Sequence, residues 1–304
     1  MLGEIFYWVF NMSIAAAICG AVILPIRCIK RIPRRIAVWL WVIPFVRMCL
    51  PVGITAKYGL MSLISEFTTE TVTVCQFDSD HAFTMMNHAM GASSYFPVTY
   101  KTDFLKNIFS CAAVIWIIVA AALAVIFLMG YLFAIREAKS AVWFRDNIYL
   151  SDKIRIPAVY GIVRPRIVLP CEYSERNIDY ILMHEGVHIK RGDNLFRVLA
   201  FAAACIHWFN PLAWVFLKLL YSDMELACDE AVLSECGEAQ KKEYAYALLS
   251  STEASSVFAS SFGGAKLGIR LENILSFRKL SAVSFIGFAA LMIAVAYFLL
   301  TNAF

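Results

Sequence analysis

Five consecutive residues, His184-Glu185-Gly186-Val187-His188, have the types and spacing of a zinc-binding helical turn. Residues four apart lie on the same face of an α-helix, so His184 and His188 can offer two imidazole nitrogens to one Zn²⁺. Glu185 then lies beside the metal, where its carboxylate can take a proton from the attacking water. The pattern therefore predicts His184 and His188 as metal ligands and Glu185 as the catalytic base of a zinc hydrolase.

A second acidic segment, about forty residues downstream, offers a third ligand. Glu225 and Asp229 are four apart and share a helix face, where two carboxylates repel each other unless a cation lies between them. We expect Glu225 to complete a His₂Glu set and Asp229 to accept the other ring N–H of a ligating histidine. Glu230 is an alternative ligand on spacing alone, and an ordinary acidic surface helix is the alternative for the whole segment. No CxxC motif or Cys/His cluster is expected to compete for the metal.

The segments around these motifs indicate their structure and role less specifically. Between 147 and 170 apolar and polar residues alternate and are punctuated by Pro and Gly, which predicts a short hairpin or small sheet. An exposed edge there could bind an extended peptide by strand addition, although a purely structural cover over the active-site helix is equally consistent. Three tyrosines are candidates for the group that stabilises the oxyanion, and the sequence does not rank them. They are Tyr221, Tyr244 and Tyr246.

The composition places this chemistry in a membrane protein. Hydrophobic residues make up 61% of the chain and charged residues 16%, against about 45–50% and about 25% in soluble domains. Four apolar segments are predicted as transmembrane helices, because about 20 apolar residues span a bilayer. An interfacial hairpin is the alternative for the second, which contains Pro44, Pro51 and Arg47. The segments are 5–26, 36–55, 107–135 and 281–300.

The basic residues predict the orientation. They concentrate in the loop after the first segment and on both flanks of the region 136–280, and such loops face the cytoplasm. The loop at 56–104 carries more acidic than basic residues and is expected outside. The first segment has no basic start or cleavage site, so we expect a retained span. The predicted domains are three N-terminal helices (1–135), a cytoplasmic zinc peptidase domain (136–280) and a C-terminal transmembrane helix (281–304).

One further apolar stretch, 195–221, is nearly long enough to cross the membrane. A single crossing there would separate Glu225 from His184 and put the basic residues before the last span outside. Asn210-Pro211 marks a break, which predicts a hairpin of two helices that enter the cytoplasmic leaflet. A buried helix pair inside the soluble domain is the equal alternative.

Nine cysteines are scattered through the sequence without a pairing pattern, which argues against a disulfide framework. The net charge of +4 is accounted for by the basic residues that flank the membrane segments. It therefore gives no indication of direct nucleic-acid binding.

Together these segments resemble the BlaR/MecR-type integral-membrane zinc peptidases. The matching residues are HEGVHIKRGDN at 184–194, HWFNP at 207–211, ELACDEAV at 225–232 and the run from Gly161 to Pro170. The resemblance implies a mostly α, polytopic membrane protein with a gluzincin-like peptidase domain. It also implies zinc held by His184, His188 and Glu225, with Glu185 as base and Asp229 as the supporting carboxylate.

In that family an external signal activates the protease, which brings about cleavage of a winged-helix repressor and so controls antibiotic-resistance genes. The resemblance also implies self-cleavage before the last span, for which Ser276-Phe277 is the hypothesis and a simple basic stop before the span the alternative. Two departures stand out. Gly186 replaces a larger apolar residue, and only four residues follow the last span, so we expect a relative without the penicillin-binding sensor domain.

The expected partners are a cytoplasmic protein substrate, a winged-helix repressor in the family pattern, and the lipid bilayer. A homodimer is left open. Two other functions are alternatives to a role in signalling. One is a housekeeping zinc protease for membrane-protein quality control. The other is a non-catalytic transducer with a structural metal site, which a fourth protein ligand would indicate.

Overall fold

The fold is mostly helical with one small sheet, as predicted, in a computed structural model. The structure describes residues 2–29, 32–50, 56–63, 103–154, 156–171, 178–237, 240–253, 267–277 and 281–301. Most of the predicted external loop at 56–104 lies outside the described residues. The helices are α1 (Leu2–Arg27), α2 (Arg34–Leu40), α3 (Val42–Cys49), α4 (Asp103–Lys139), α5 (Ile178–Arg191), α6 (Asp193–Ile206), α7 (Pro211–Cys236), α8 (Lys241–Glu253), α9 (Leu267–Ser276) and α10 (Ala282–Leu300).

Three of the described helices are long and apolar enough to cross a membrane. These stretches are Leu2–Arg27, Asn107–Lys139 and Val283–Leu300. Large apolar side chains on α4 and α10 point away from the protein: Ile126 is 66% exposed and Ile293 is 72% exposed. An apolar surface of this extent needs a nonaqueous partner, and lipid supplies one.

The segment predicted as the second span forms two short helices, α2 and α3. Trp41 joins them in a helical conformation, and the run from 34 to 49 is about 24 Å long. That is shorter than the roughly 30 Å of a bilayer core, so this crossing stays a prediction. Arg47 is buried because its guanidinium satisfies carbonyl groups at the end of α10, donating to Leu299 at 3.2 Å and to Thr301 at 2.7 Å.

The stretch 195–221 is divided into α6 and α7 at the predicted break. The Asn210 side chain accepts a hydrogen bond from the Leu212 N–H at 3.0 Å and so caps α7. At the tip, Trp116 Nε1 of α4 donates to the Ile206 carbonyl at 2.7 Å. The tip thus lies beside α4, and both the membrane-entering hairpin and the buried helix pair stay predictions. The sequence did not predict that α7 continues without a break to Cys236.

One apolar core joins the membrane helices to α7. It contains buried residues of α1, α2, α3, α6 and α7 together with Leu299. Gly20 permits the closest approach, because a Cβ at this position would lie 2.0 Å from the Phe216 ring. The helix that carries Glu225 is therefore fixed directly against the first span.

The small sheet covers α5. Its strand order is β1-β2-β4-β3, with β2 and β4 parallel and the outer pairs antiparallel. Ile148, Ile167 and Leu169 pack on Ile181 of α5. The sheet lies in the predicted region but starts earlier and has a crossover. The strands are β1 (Val142–Arg145), β2 (Ile148–Ser151), β3 (Ala158–Tyr160) and β4 (Arg166–Pro170).

The close packing of α1 on α7 leads to a stability prediction. Gly20→Ala should lower the melting temperature in detergent by several degrees, since overpacking a core costs about 1–3 kcal/mol. Gly130→Ala on α4 is the matched control, because a Cβ there meets nothing within 4 Å. Equal melting temperatures for the two variants would contradict this packing.

Candidate metal centre

The crossing of α5 and α7 brings three potential ligands together. His184 Nε2 and His188 Nε2 are 3.2 Å apart. They lie 3.5 Å and 3.6 Å from the two Glu225 oxygens. Tetrahedral ligands at about 2.0–2.1 Å from Zn²⁺ are about 3.3–3.4 Å from one another. The spacing of these three side chains therefore fits a zinc ion.

Hydrogen bonds on the far side of each imidazole orient the two rings. His184 Nδ1 lies 2.9 Å from the Tyr244 hydroxyl and 3.3 Å from Asp229 Oδ1. His188 Nδ1 lies 2.6 Å from Asp193 Oδ2. With each Nδ1 engaged, the Nε2 atoms face the ligand triangle, an arrangement common among metal-binding histidines.

Asp229 thus lies where the sequence predicted, whereas the positions of Asp193 and Tyr244 were missed. Asp193 reaches His188 because Gly192 turns the chain sharply with φ +68° between α5 and α6. Tyr244 arrives from α8 and donates to Asp229 at 2.6 Å. Gly192, directly after α5 and four residues beyond His188, was the available signal for Asp193. Tyr244 was one of three tyrosines considered for the oxyanion, and the sequence carried no signal for its contacts with His184 and Asp229.

Two arginines surround the carboxylates. Arg270 of α9 holds Asp229 through two hydrogen bonds, at 2.9 Å and 2.7 Å. Its Nη1 lies 3.4 Å from Glu225, and Arg197 Nη2 donates to the other Glu225 oxygen at 2.5 Å. Burial works to raise the pKa of Glu225, but the neighbouring histidines and arginines hold that pKa well below its usual value. For Asp229, too, burial is outweighed, here chiefly by Arg270, and its pKa is lowered.

Glu185 lines a cavity of about 280 Å³ beside the triangle. Burial raises the pKa of its carboxyl group, although His184 and His188 oppose the shift. This carboxylate therefore takes up a proton more readily than an exposed glutamate does. Residues 156–159, at and just before β3, also line the cavity.

Glu230 lies away from the triangle. Its two carboxylate oxygens accept hydrogen bonds from the backbone N–H groups of Arg34 and Arg35, at 3.1 Å and 3.2 Å. The side chain thus caps α2 on another face of α7. Of the two glutamates left open by spacing, only Glu225 lies beside the histidines.

The expectation that no Cys/His cluster competes for the metal is wrong. Cys228 is buried, and ligand atoms of His184, His188 and Cys228 lie within 4.8 Å of one another. It was missed because the cluster forms only when one turn of α7 packs on α5. The thiol also approaches the His184 carbonyl, at 3.2 Å. Cys228 therefore lies close enough to be a ligand as well, beside Glu225, whose oxygens are 3.5 Å and 3.6 Å from the two Nε2 atoms.

The hypothetical self-cleavage point lies at the end of α9. Ser276 is exposed, and the Phe277 carbonyl accepts a hydrogen bond from Lys241 Nζ at 2.6 Å. Neither residue lines the cavity that contains Glu185. Cleavage there would require the end of α9 to leave its position, so self-cleavage stays a prediction.

Comparison with known proteins gives the wider context of this site. The family model of the BlaR1 peptidase M56 matches residues 7–274 of the 304. The chain belongs to this family. The match confirms the BlaR/MecR resemblance drawn from the metal-site motifs, and it makes the chain a membrane peptidase-like protein of the BlaR1 family.

The similarity to individual relatives covers only part of the chain. The chain is 31% identical over 157 residues to the regulatory protein BlaR1 of Bacillus licheniformis, covering 47% of this chain and 26% of the relative. It is 32% identical over 107 residues to the methicillin resistance mecR1 protein of Staphylococcus aureus strain Mu50, covering 34% and 18%. BlaR1 of Staphylococcus aureus is 25% identical over 205 residues, covering 58% and 34%. The chain thus spans about a third of these relatives or less.

Zinc content tests the ligand triangle. His184→Ala and Glu225→Gln should each leave the purified chain with well under one bound zinc, because each removes one of three protein ligands. Metal would be measured by elemental mass spectrometry on protein that elutes as a folded species. Glu230→Gln is the comparison and should keep its zinc. Loss of zinc from the Glu230 variant alone would reverse the assignment.

The hydrogen bond between His188 and Asp193 gives a second test of the site. Asp193→Asn should lower zinc affinity about 10- to 100-fold, since a ligand that has lost its orienting partner binds metal less tightly. Competition with a chromophoric chelator would measure the affinity. An unchanged affinity would mean that Asp193 serves only the turn between α5 and α6.

Proposed function

We propose that this protein is a membrane-embedded zinc endopeptidase that cleaves a cytoplasmic protein substrate in regulated signalling. By the family pattern the substrate is a winged-helix transcriptional repressor. The observation that carries the proposal is the ligand triangle beside a buried Glu185, open to a cavity bounded by an edge strand. An oriented base next to a metal site is what peptide hydrolysis requires.

Bound zinc would supply the Lewis acidity that activates water and polarises the peptide carbonyl. His184, His188 and Glu225 would hold it. Glu185 then takes a proton from water as the oxygen attacks the carbonyl carbon, and it returns that proton to the leaving amine when the C–N bond breaks.

The substrate would bind in an extended conformation along β3. Among the described strands β3 pairs with β4 alone, so its outer edge can offer backbone groups to another strand. Asn194 donates to the Val159 carbonyl at 2.9 Å and to the Gly161 carbonyl at 3.1 Å, so these two acceptors are engaged and a substrate would pair with the other backbone groups of this edge. An added strand would run along the cavity that Glu185 also lines.

The cytoplasmic placement rests on charge and on contacts. Arg27 Nε, at the basic end of α1, lies 2.7 Å from Asp223 of α7. The basic loop and the metal-site helix are thus on one side of the membrane, and positive loops face the cytoplasm. We propose four crossings with the peptidase domain inside the cell and the segment 36–55 as one of them.

A second candidate function is favoured by Cys228. If this thiol joined the two histidines and Glu225, the metal would have four protein ligands, as structural zinc sites do. The protein would then be a non-catalytic, metal-binding transducer. In that case Cys228→Ser should lose zinc, whereas an open catalytic site should retain it.

Replacing the base tests the proposed function. Glu185→Gln should bind zinc like the wild type but cleave about 10²- to 10⁴-fold more slowly, because only proton transfer is removed. Both chains would be expressed in bacterial membranes, and new protein N-termini in the cytoplasm and membrane would be identified by mass spectrometry. Fragments of a DNA-binding repressor that depend on Glu185 would support signalling.

Other outcomes of this experiment separate the alternatives. Fragments drawn mainly from unrelated membrane proteins would indicate a quality-control protease. Fragments of the chain itself ending near Ser276 would support self-cleavage. Identical fragment sets from the two variants, with zinc bound in both, would contradict the peptidase.

A further inference from the structure

Of the three tyrosines considered for the oxyanion, Tyr244 and Tyr221 have engaged hydroxyl groups and Tyr246 does not line the described cavity. Tyr244 donates to Asp229 behind the His184 ring, on the side away from the ligand triangle. Tyr221 donates to the Arg197 carbonyl at 2.9 Å. Tyr246 is 69% exposed and does not line the cavity of the described residues. The negative charge on the substrate oxygen must find another partner.

Arg270 lies where that partner is needed. Its Nη2 is 3.4 Å from His184 Nε2 and its Nη1 is 3.4 Å from Glu225 Oε2. Both contacts are with the metal-facing atoms of the triangle. The guanidinium also lines the cavity that holds Glu185.

The hydrogen-bond capacity of Arg270 is only partly used. A guanidinium has five N–H donors in one plane. Asp229 accepts two of them at short distance, one from Nε and one from Nη2. The remaining donors are on the Nη atoms, whose contacts with His184 and Glu225 are long. They are available to a substrate oxygen.

Arg270 is also held firmly. Asp229 is fully buried and accepts a hydrogen bond from the guanidinium at each of its oxygens, and the Arg270 side chain is only 12% exposed. Arg197, the other arginine at Glu225, is 34% exposed, and among the described residues no carboxylate holds it through two oxygens. A donor fixed before the reaction stabilises developing charge without reorganising, which is the condition for oxyanion stabilisation.

We propose that Arg270 is the residue that stabilises the oxyanion, an inference that rests on the proposed peptidase function. When water attacks the peptide carbonyl and its proton passes to Glu185, the electron pair of the C=O bond moves to the oxygen. The free N–H groups of Arg270 donate to that oxygen. As the C–N bond breaks, an electron pair on that oxygen re-forms the C=O bond, the C–N bonding pair leaves with the nitrogen, and Glu185 protonates the amine.

The test compares a tetrahedral anion with a planar amide. Binding of a peptide with a phosphinate in place of one amide, and of the unmodified peptide, would be measured by calorimetry on the full zinc-loaded chain. Arg270→Lys keeps a positive charge beside Asp229 but lacks the planar fork. It should bind the phosphinate about 100-fold more weakly, with amide binding and zinc content within twofold of the wild type. Glu272→Gln, on the exposed side of the same helix, is the matched control.

Turnover gives a parallel measurement. On a fluorescent casein substrate, Arg270→Lys should lower kcat about 10²-fold with little change in KM. Arg270→Ala should regain part of its kcat when guanidinium, but not ammonium, is added at millimolar concentration.

Several results would contradict the role of Arg270, and each leads to a different conclusion. Undiminished phosphinate binding by Arg270→Lys would overturn the inference and leave the peptidase intact. Loss of zinc, or equal weakening of both peptides, would make Arg270 a structural partner of Asp229 and Glu225. Tighter phosphinate binding would mean that the guanidinium obstructs the site. A wild-type chain that neither binds these peptides nor cleaves casein would overturn the proposed function and this inference with it.

Discussion

The burial of four carboxylates on the single helix α7 is the constraint on which the rest of the structure depends. Asp223 and Asp229 are fully buried, Glu230 is nearly so, and the Glu225 side chain is 14% exposed. A buried carboxylate without a partner destabilises a protein by about 3–5 kcal/mol. Each therefore needs a cation or donor from another part of the chain, and together these needs determine how the helices pack around α7.

The partners come from different regions. Asp223 pairs with Arg27 and accepts from Trp41 Nε1 at 2.8 Å, which attaches α7 to the membrane helices. Glu230 caps α2 on the same side. Glu225 and Asp229 instead face the histidines of α5 and Arg270 of α9. One rigid helix thus joins the basic loop of the first span to the metal site, so a displacement of that span has a direct route to the ligands.

Much of the metal site and of the helical architecture was predictable from the sequence because it depends on local spacing. Two histidines four apart lie on one face in any helix, and the Glu225/Asp229 pair follows the same rule. Long apolar runs identified three spans, and Asn210-Pro211 marked the break between α6 and α7. What the sequence could not supply were the contacts made between distant segments. Tyr244, Cys228 and Arg270 reach the site only through the packing of α7, α8 and α9, and no periodicity reports such packing. The second span was difficult to predict for a different reason. The helical run 34–49 is largely apolar but shorter than the hydrocarbon core of a bilayer.

The most direct test of the central claim, an open His₂Glu zinc site at the crossing of α5 and α7, is X-ray absorption at the zinc edge of the purified full chain. An open His₂Glu site should show a first shell of nitrogen and oxygen only, at about 2.0–2.1 Å, with the scattering pattern of two imidazoles. A sulfur scatterer at about 2.3 Å, lost in Cys228→Ser, would contradict it and would make the site a closed, structural one.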